Sequence, residues 1–296
     1  MALRSHALAA YDSPVFTLDG ESLTVTLLDP QADAKQLGSR YCSGGYVWQV
    51  TDSRFGDLFS GPCFPSAAPP PFDGQGAPEV FEIALGQDTA RVGDDVWVIG
   101  VGRVRRESPV RPFHVRDNPT VVERAAWSVE RSATSVTMRS HEAFDGFELE
   151  LVREISLDAR TLRSATTLRN RGAREIPVRW FAHPFFPWAG AECFEPSLET
   201  SLPDNPGFVM NARGLVERRL QHRWTAGCYV VPKTALGGEL AVAQRHPALG
   251  EVRVRCRFPL AWLALWGNDR TVSFEPFHAT VVAPGATSAW AIDYRF

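Results

Sequence analysis

The sequence predicts an all-β protein, a large antiparallel sandwich with little helix. Three observations carry this. Apolar residues alternate with polar ones over many short runs, as in ELELVREISL at 148–157, where the period is two rather than 3.6. Turn residues punctuate these runs about every 8–12 residues, the rhythm of sandwiches and barrels. No segment of ten or more residues has helical periodicity; residues 32–37 are expected to form one short helical turn.

The elements follow in order. Residues 15–19 and 23–28 flank Gly20 and read as an opening hairpin, and YVWQVT at 46–51 reads as a strand. PSAAPPP at 65–71 cannot join a ladder, because proline has no N–H to donate. It runs into FDGQGAP, so 62–78 is a long loop, and long loops in compact domains are often functional. Strands are then expected at 96–101, 120–123, 126–130, 135–140, 148–157, 160–170 and 176–182. Further strands are expected at 226–232, 239–244, 250–257, 260–266, 271–275, 278–282 and 287–296. Pro276 is expected to end the ladder at Glu275. No repeat or low-complexity linker divides the chain, so residues 1–296 are read as one domain.

Composition excludes more than it identifies. The chain has 296 residues, is 44% hydrophobic and 22% charged, and carries a formal net charge of -3. That balance argues against nucleic acid as a partner, because such binders present a strongly basic face. No run approaches the ~18 apolar residues of a membrane span. The N-terminal MALRSHALAAYDSP has too short an apolar stretch for a signal peptide. Cys42, Cys63, Cys193, Cys228 and Cys256 are scattered and odd in number, which favours a reducing compartment over a disulfide framework. A cytoplasmic location is expected. Nothing in the sequence indicates an oligomeric state.

Three segments could carry chemistry: SRYCSGGYVWQV at 39–50, VRWFAHPFFPW at 178–188, and the stretch from Leu263 to the end. Glu275 ends an apolar run between Phe274 and Phe277, where desolvation would raise its pKa toward that of a general base. The competing reading is a surface glutamate at a strand end. His183 follows a strand and precedes Phe185, Phe186 and Trp188. Imidazole trades protons near neutral pH, and aromatic faces suit the C–H side of a pyranose. The competing reading is a core histidine bonded to backbone. His114, His141, His222 and His278 show no metal-ligand spacing, and His278, three residues after Glu275, faces away from it.

The run Leu168, Asn170, Gly172, Ile176, Pro177, Val178, then His183, Pro184, Phe185, Phe186, resembles the aldose 1-epimerase, or galactose mutarotase-like, superfamily. The tail resembles the same group: Leu265 and Trp266, then Glu275 and Pro276, then Pro284 and Gly285 before an aromatic-rich final strand. The resemblance covers about 150–296 best and 35–115 more loosely. It implies a β-supersandwich fold and a glutamate–histidine pair that interconverts sugar anomers without metal or organic cofactor. Carried over by motif, Glu275 takes the proton of the anomeric hydroxyl and His183 protonates the ring oxygen, from opposite sides of the hemiacetal. Arg40 matches the superfamily's early substrate-binding arginine, and Phe185 and Trp188 are candidates to contact the sugar.

The superfamily's segment with a second histidine has no counterpart here. In its place stands GVGRVRRESPVRPF at 100–113. Arg103 and Arg111 in it are candidates to bind a phosphate or carboxylate on the sugar, set against a solvated arginine-rich strand. Three functions follow from the sequence: an aldose 1-epimerase, a sugar-binding or regulatory module that has lost turnover, and a polysaccharide-processing enzyme. The last is disfavoured because such chains usually add a helical domain.

Overall fold

A computed structural model describes residues 16–66 and 68–296. The N-terminal segment and Val15, the first residue of the expected opening strand, lie outside the described residues. Among the described residues there is no α-helix, only two short 3-10 turns, Val115–Asp117 and Trp224–Ala226. Among the described residues no helix is long and apolar enough to cross a membrane. Residues 32–36 form hydrogen-bonded turns rather than a helix, and residue 37 lies beyond them: Asp29 accepts from Gln31 and Ala32, and Asp33 from Asp29, which closes the chain locally.

Two antiparallel sheets face each other. The larger has ten strands and is built around Ser135–Phe144, Phe147–Asp158, Thr161–Asn170 and Thr287–Arg295. The smaller has Thr271–Val282 at its centre, with Trp262–Gly267 on one side and Ile176–Ala182 on the other. Cys228–Val230 and Glu79–Phe81 form its edges, and Phe186–Pro187 also pairs with the central strand. Expected strand boundaries hold closely at Ile176–Ala182 and Gly250–Arg257.

The core lies between the sheets. Trp180 crosses Phe258 and Trp290 edge-on, at 5.4 and 5.7 Å between ring centroids. His278 is buried against Trp290 on this inner face, as its offset from Glu275 requires. A buried ion pair also bridges the sheets: Arg153 and Glu79 approach to 2.6 Å. Trp180 Nε1 donates to Glu79 at 3.0 Å and the Ser164 hydroxyl at 2.5 Å, so the carboxylate has the partners a buried charge needs.

One strand differs from its expectation. Thr271–Val282 is continuous, although Pro276 was a reason to split it. Its pairing with Ile176–Ala182 stops at Phe181–Phe277, while pairing with Trp262–Gly267 runs on through Leu263–Pro276. The proline sits where only one of the two ladders has lapsed, so the strand survives it.

Candidate active site

The outer face of the smaller sheet is the floor of a cleft of about 610 Å³. Strand alternation decides which side chains reach it. Phe277, Glu275 and Ser273 lie on one face of the central strand, opposite Trp262, Ala264 and Trp266 on the next. From the other side come Phe181, His183 and Phe185.

Register brings the two candidate catalytic groups together. The pairs Phe181–Phe277 and Phe186–Val272 lie five residues apart on both strands, so the register is unbroken and His183 falls opposite Glu275. Between those pairs the chain turns its donors elsewhere: His183 N–H bonds the Pro78 carbonyl and Phe185 N–H the Gly76 carbonyl, each at 2.8 Å. His183 Nε2 lies 3.2 Å from Glu275 Oε1, and its Nδ1 lies 2.9 Å from the Ser273 hydroxyl. The two groups therefore touch, rather than face each other across a sugar-wide gap. This corrects the expected placement on opposite sides, and cross-strand pairing is the reason.

Both groups are buried, with 2% and 4% of their surface exposed. Loss of water pushes the Glu275 carboxyl up to about 7, against the opposing charge of Arg40, with Glu82 adding to the rise. The same burial, aided by Arg40, holds His183 well below its ordinary value. Both effects favour the uncharged pair.

Arg40 lines the cleft, donates to the Phe72 carbonyl at 3.0 Å, and lies over the Phe72 and Tyr41 rings. Phe185 is in the floor, its ring centroid 4.3 Å from that of His183. The 62–78 loop contributes Pro62, Phe72 and Asp73 to the cleft wall.

Three candidates fall elsewhere. Arg103 pairs with Glu123 at 2.9 Å, because strand register sets that glutamate directly opposite it on a separate small sheet, and it lies near Asp95 on the diagonal. The Arg111 guanidinium is occupied by the carbonyls of Gln87, Asp88 and Ala90. Trp188 Nε1 donates to the Asn268 carbonyl, and its ring packs on Trp224 rather than into the cleft. Conversely, Trp266, Ser273, Tyr229, His114 and Arg116 are at the site without having been singled out for it. Ser273 was findable by counting back two residues from Glu275, and Trp266 only once its strand is paired with Ser273. The other three come from distant segments that only folding brings near. Among the described residues no group of three His, Cys, Asp or Glu is placed to hold a metal ion. All five cysteines are free.

No protein-family model and no curated protein sequence matches the chain. Solved structures do. A galactose mutarotase related enzyme from Lactobacillus acidophilus superposes with a TM-score of 0.60 at 12% identity, over 95% of this chain and 97% of that one. A galactose mutarotase-like protein from Lactobacillus casei gives 0.54 at 13%, over 95% and 99%. Another, from Clostridium acetobutylicum, gives 0.54 at 12%, over 94% and 93%. At these identities the likeness is one of fold.

Proposed function

From a chain with the galactose mutarotase-like fold and a histidine–glutamate pair in its cleft, we propose an aldose 1-epimerase. It is a single-domain isomerase, acting in the cytoplasm on a hexose or hexose derivative. The observation that carries this reading is the contact of His183 Nε2 with Glu275 Oε1 on a floor of aromatic rings. An anomeric centre suits such a pair, because its hydroxyl and its ring oxygen hang from the same carbon. An acid and a base side by side can reach both.

In the reaction, Glu275 accepts the proton of the anomeric hydroxyl, and the freed electron pair forms the aldehyde. The bond from C1 to the ring oxygen breaks, and that oxygen takes a proton from His183. Rotation about C1–C2 and the reverse proton movements close the other anomer. Phe181, Phe185, Phe277 and Trp266 would offer apolar surface to the ring, while Arg40 and Asp73, which line the cleft, would take its hydroxyls.

The test is polarimetric. Wild type should speed the approach of fresh α-D-glucose or α-D-galactose to anomeric equilibrium, with the hexose phosphates as a second panel. His183→Ala and Glu275→Ala should each lose at least about 100-fold, the low end for general acid–base groups. A non-catalytic sugar-binding module is the second reading, favoured by the missing second-histidine segment. It would show a ligand-dependent rise in melting temperature with no acceleration on either panel.

A further inference from the structure

Ser273 is a buried polar side chain at the cleft floor to which the acid–base steps assign no task. Its hydroxyl lies 2.9 Å from His183 Nδ1, the ring nitrogen that does not face Glu275. Its other neighbour is the carbonyl of Phe274 at 3.5 Å, a long contact to a group that can only accept. A hydroxyl whose hydrogen is turned to a carbonyl presents its lone pairs to a ring N–H. We propose that Ser273 is a positioning residue that keeps a proton on His183 Nδ1, leaving Nε2 to exchange its proton with Glu275 and with a bound sugar. The proposal rests on His183 and Glu275 being the acid and base, yet it can be read without turnover.

Proton counting shows why this matters. If Nδ1 were bare, release of the Nε2 proton to the ring oxygen would leave an imidazolate, which is far too basic to form here. With Nδ1–H in place, release leaves a neutral imidazole. The pair then holds one mobile proton besides Nδ1–H. Before ring opening the proton is on Nε2 and the carboxylate is free. Afterwards Nε2 has given a proton to the ring oxygen and Oε1 has gained one from the anomeric hydroxyl. Ring closure reverses both transfers, so the inventory is restored with no outside acid or base.

Several titratable or charged groups face the pair. Arg40 and Tyr41 come from the segment before Val47–Asp52, Asp73 from the 62–78 loop, Glu82 from beside Glu79–Phe81, His114 and Arg116 from the turn at Val115–Asp117, and Tyr229 from Cys228–Val230. Glu82 is held by Arg179 at 2.6 Å. Burial pushes the Tyr41 and Tyr229 phenols up, so both stay protonated across the neutral range. The Glu275 carboxyl, near 7, therefore sets where the mobile proton is lost.

The experiment labels histidine with 15N and uses His183→Gln to pick one signal out of the seven histidines. At about pH 6, long-range 1H–15N correlation should show His183 protonated on Nδ1. In Ser273→Ala the Nδ1–H would lack an acceptor in a dry site, so the signal should move to the Nε2–H form, and the pair should lose its mobile proton at lower pH. Ser273→Thr keeps the hydroxyl on a residue suited to a strand and should restore the Nδ1–H form. An Nε2–H wild type, or a tautomer unchanged in Ser273→Ala, overturns the proposal. In parallel polarimetry, the alkaline limb of kcat/KM for Ser273→Ala should shift to lower pH with KM little changed. If wild type shows no acceleration, the epimerase reading falls, while the tautomer measurement still decides the role of Ser273.

Discussion

At the residue scale, burial that disfavours charge on both His183 and Glu275 dictates the pH response of the proposed pair. The reactive arrangement, imidazolium beside carboxylate, contains the same number of protons as neutral imidazole beside carboxylic acid, so the two titrate as one unit. Turnover should hold while the pair keeps its mobile proton and fall as pH rises through about 7, where Glu275 gives it up. A kcat/KM profile flat through pH 8 would contradict this. The sequence made these two residues visible because each sits in a short motif beside a proline, His183 before Pro184 and Glu275 before Pro276. It did not make Arg103 and Arg111 interpretable, since an arginine's role depends on which acids and carbonyls folding sets beside it. Here Glu123 and the carbonyls of Gln87, Asp88 and Ala90 had claimed them.

At the element scale, the 62–78 loop is fastened beneath the site. Gly76 has φ of +77°, and a Cβ there would come within 2.4 Å of the Val47 and Trp48 carbonyls. Its own carbonyl receives Phe185 N–H, two residues from His183. Gly76→Ala should therefore cost at least about 1–3 kcal/mol by urea unfolding and should lower turnover beyond what lost stability explains. Strand positions were legible wherever alternation was clean, as at Phe147–Asp158. They were less so where proline misled, because whether a missing donor ends a strand depends on neighbours the sequence does not name. The loop was legible as a loop, but its contribution of Phe72 and Asp73 to the cleft was not.

At the scale of the whole molecule, the Glu79–Arg153 pair links the two sheets, and one partner alone would be an uncompensated buried charge. Arg153→Met should cost about 3–5 kcal/mol in denaturant unfolding, and a double variant with Glu79→Leu should recover much of it. Two other buried carboxyls tie stability to pH. Glu142, bonded by Trp97 Nε1 and the Gly100 N–H, is pushed up to about 7 by desolvation, as is Glu275. In the unfolded chain both ionise near 4.3. The folded state thus binds their protons more tightly, and this contribution, fully present below about pH 4.3, is lost as pH rises through about 7. Glu142→Gln should flatten that slope in melting temperature against pH. The Thr271–Val282 strand gives the molecule a further property. Its odd positions, Ser273, Glu275 and Phe277, lie on the face toward the cleft, while Val272, Phe274 and His278 look into the core. Chemistry and architecture are interleaved like two messages written in alternate letters. A saturation scan along it should beat in twos, with turnover alone lost at one letter and the fold itself at the next.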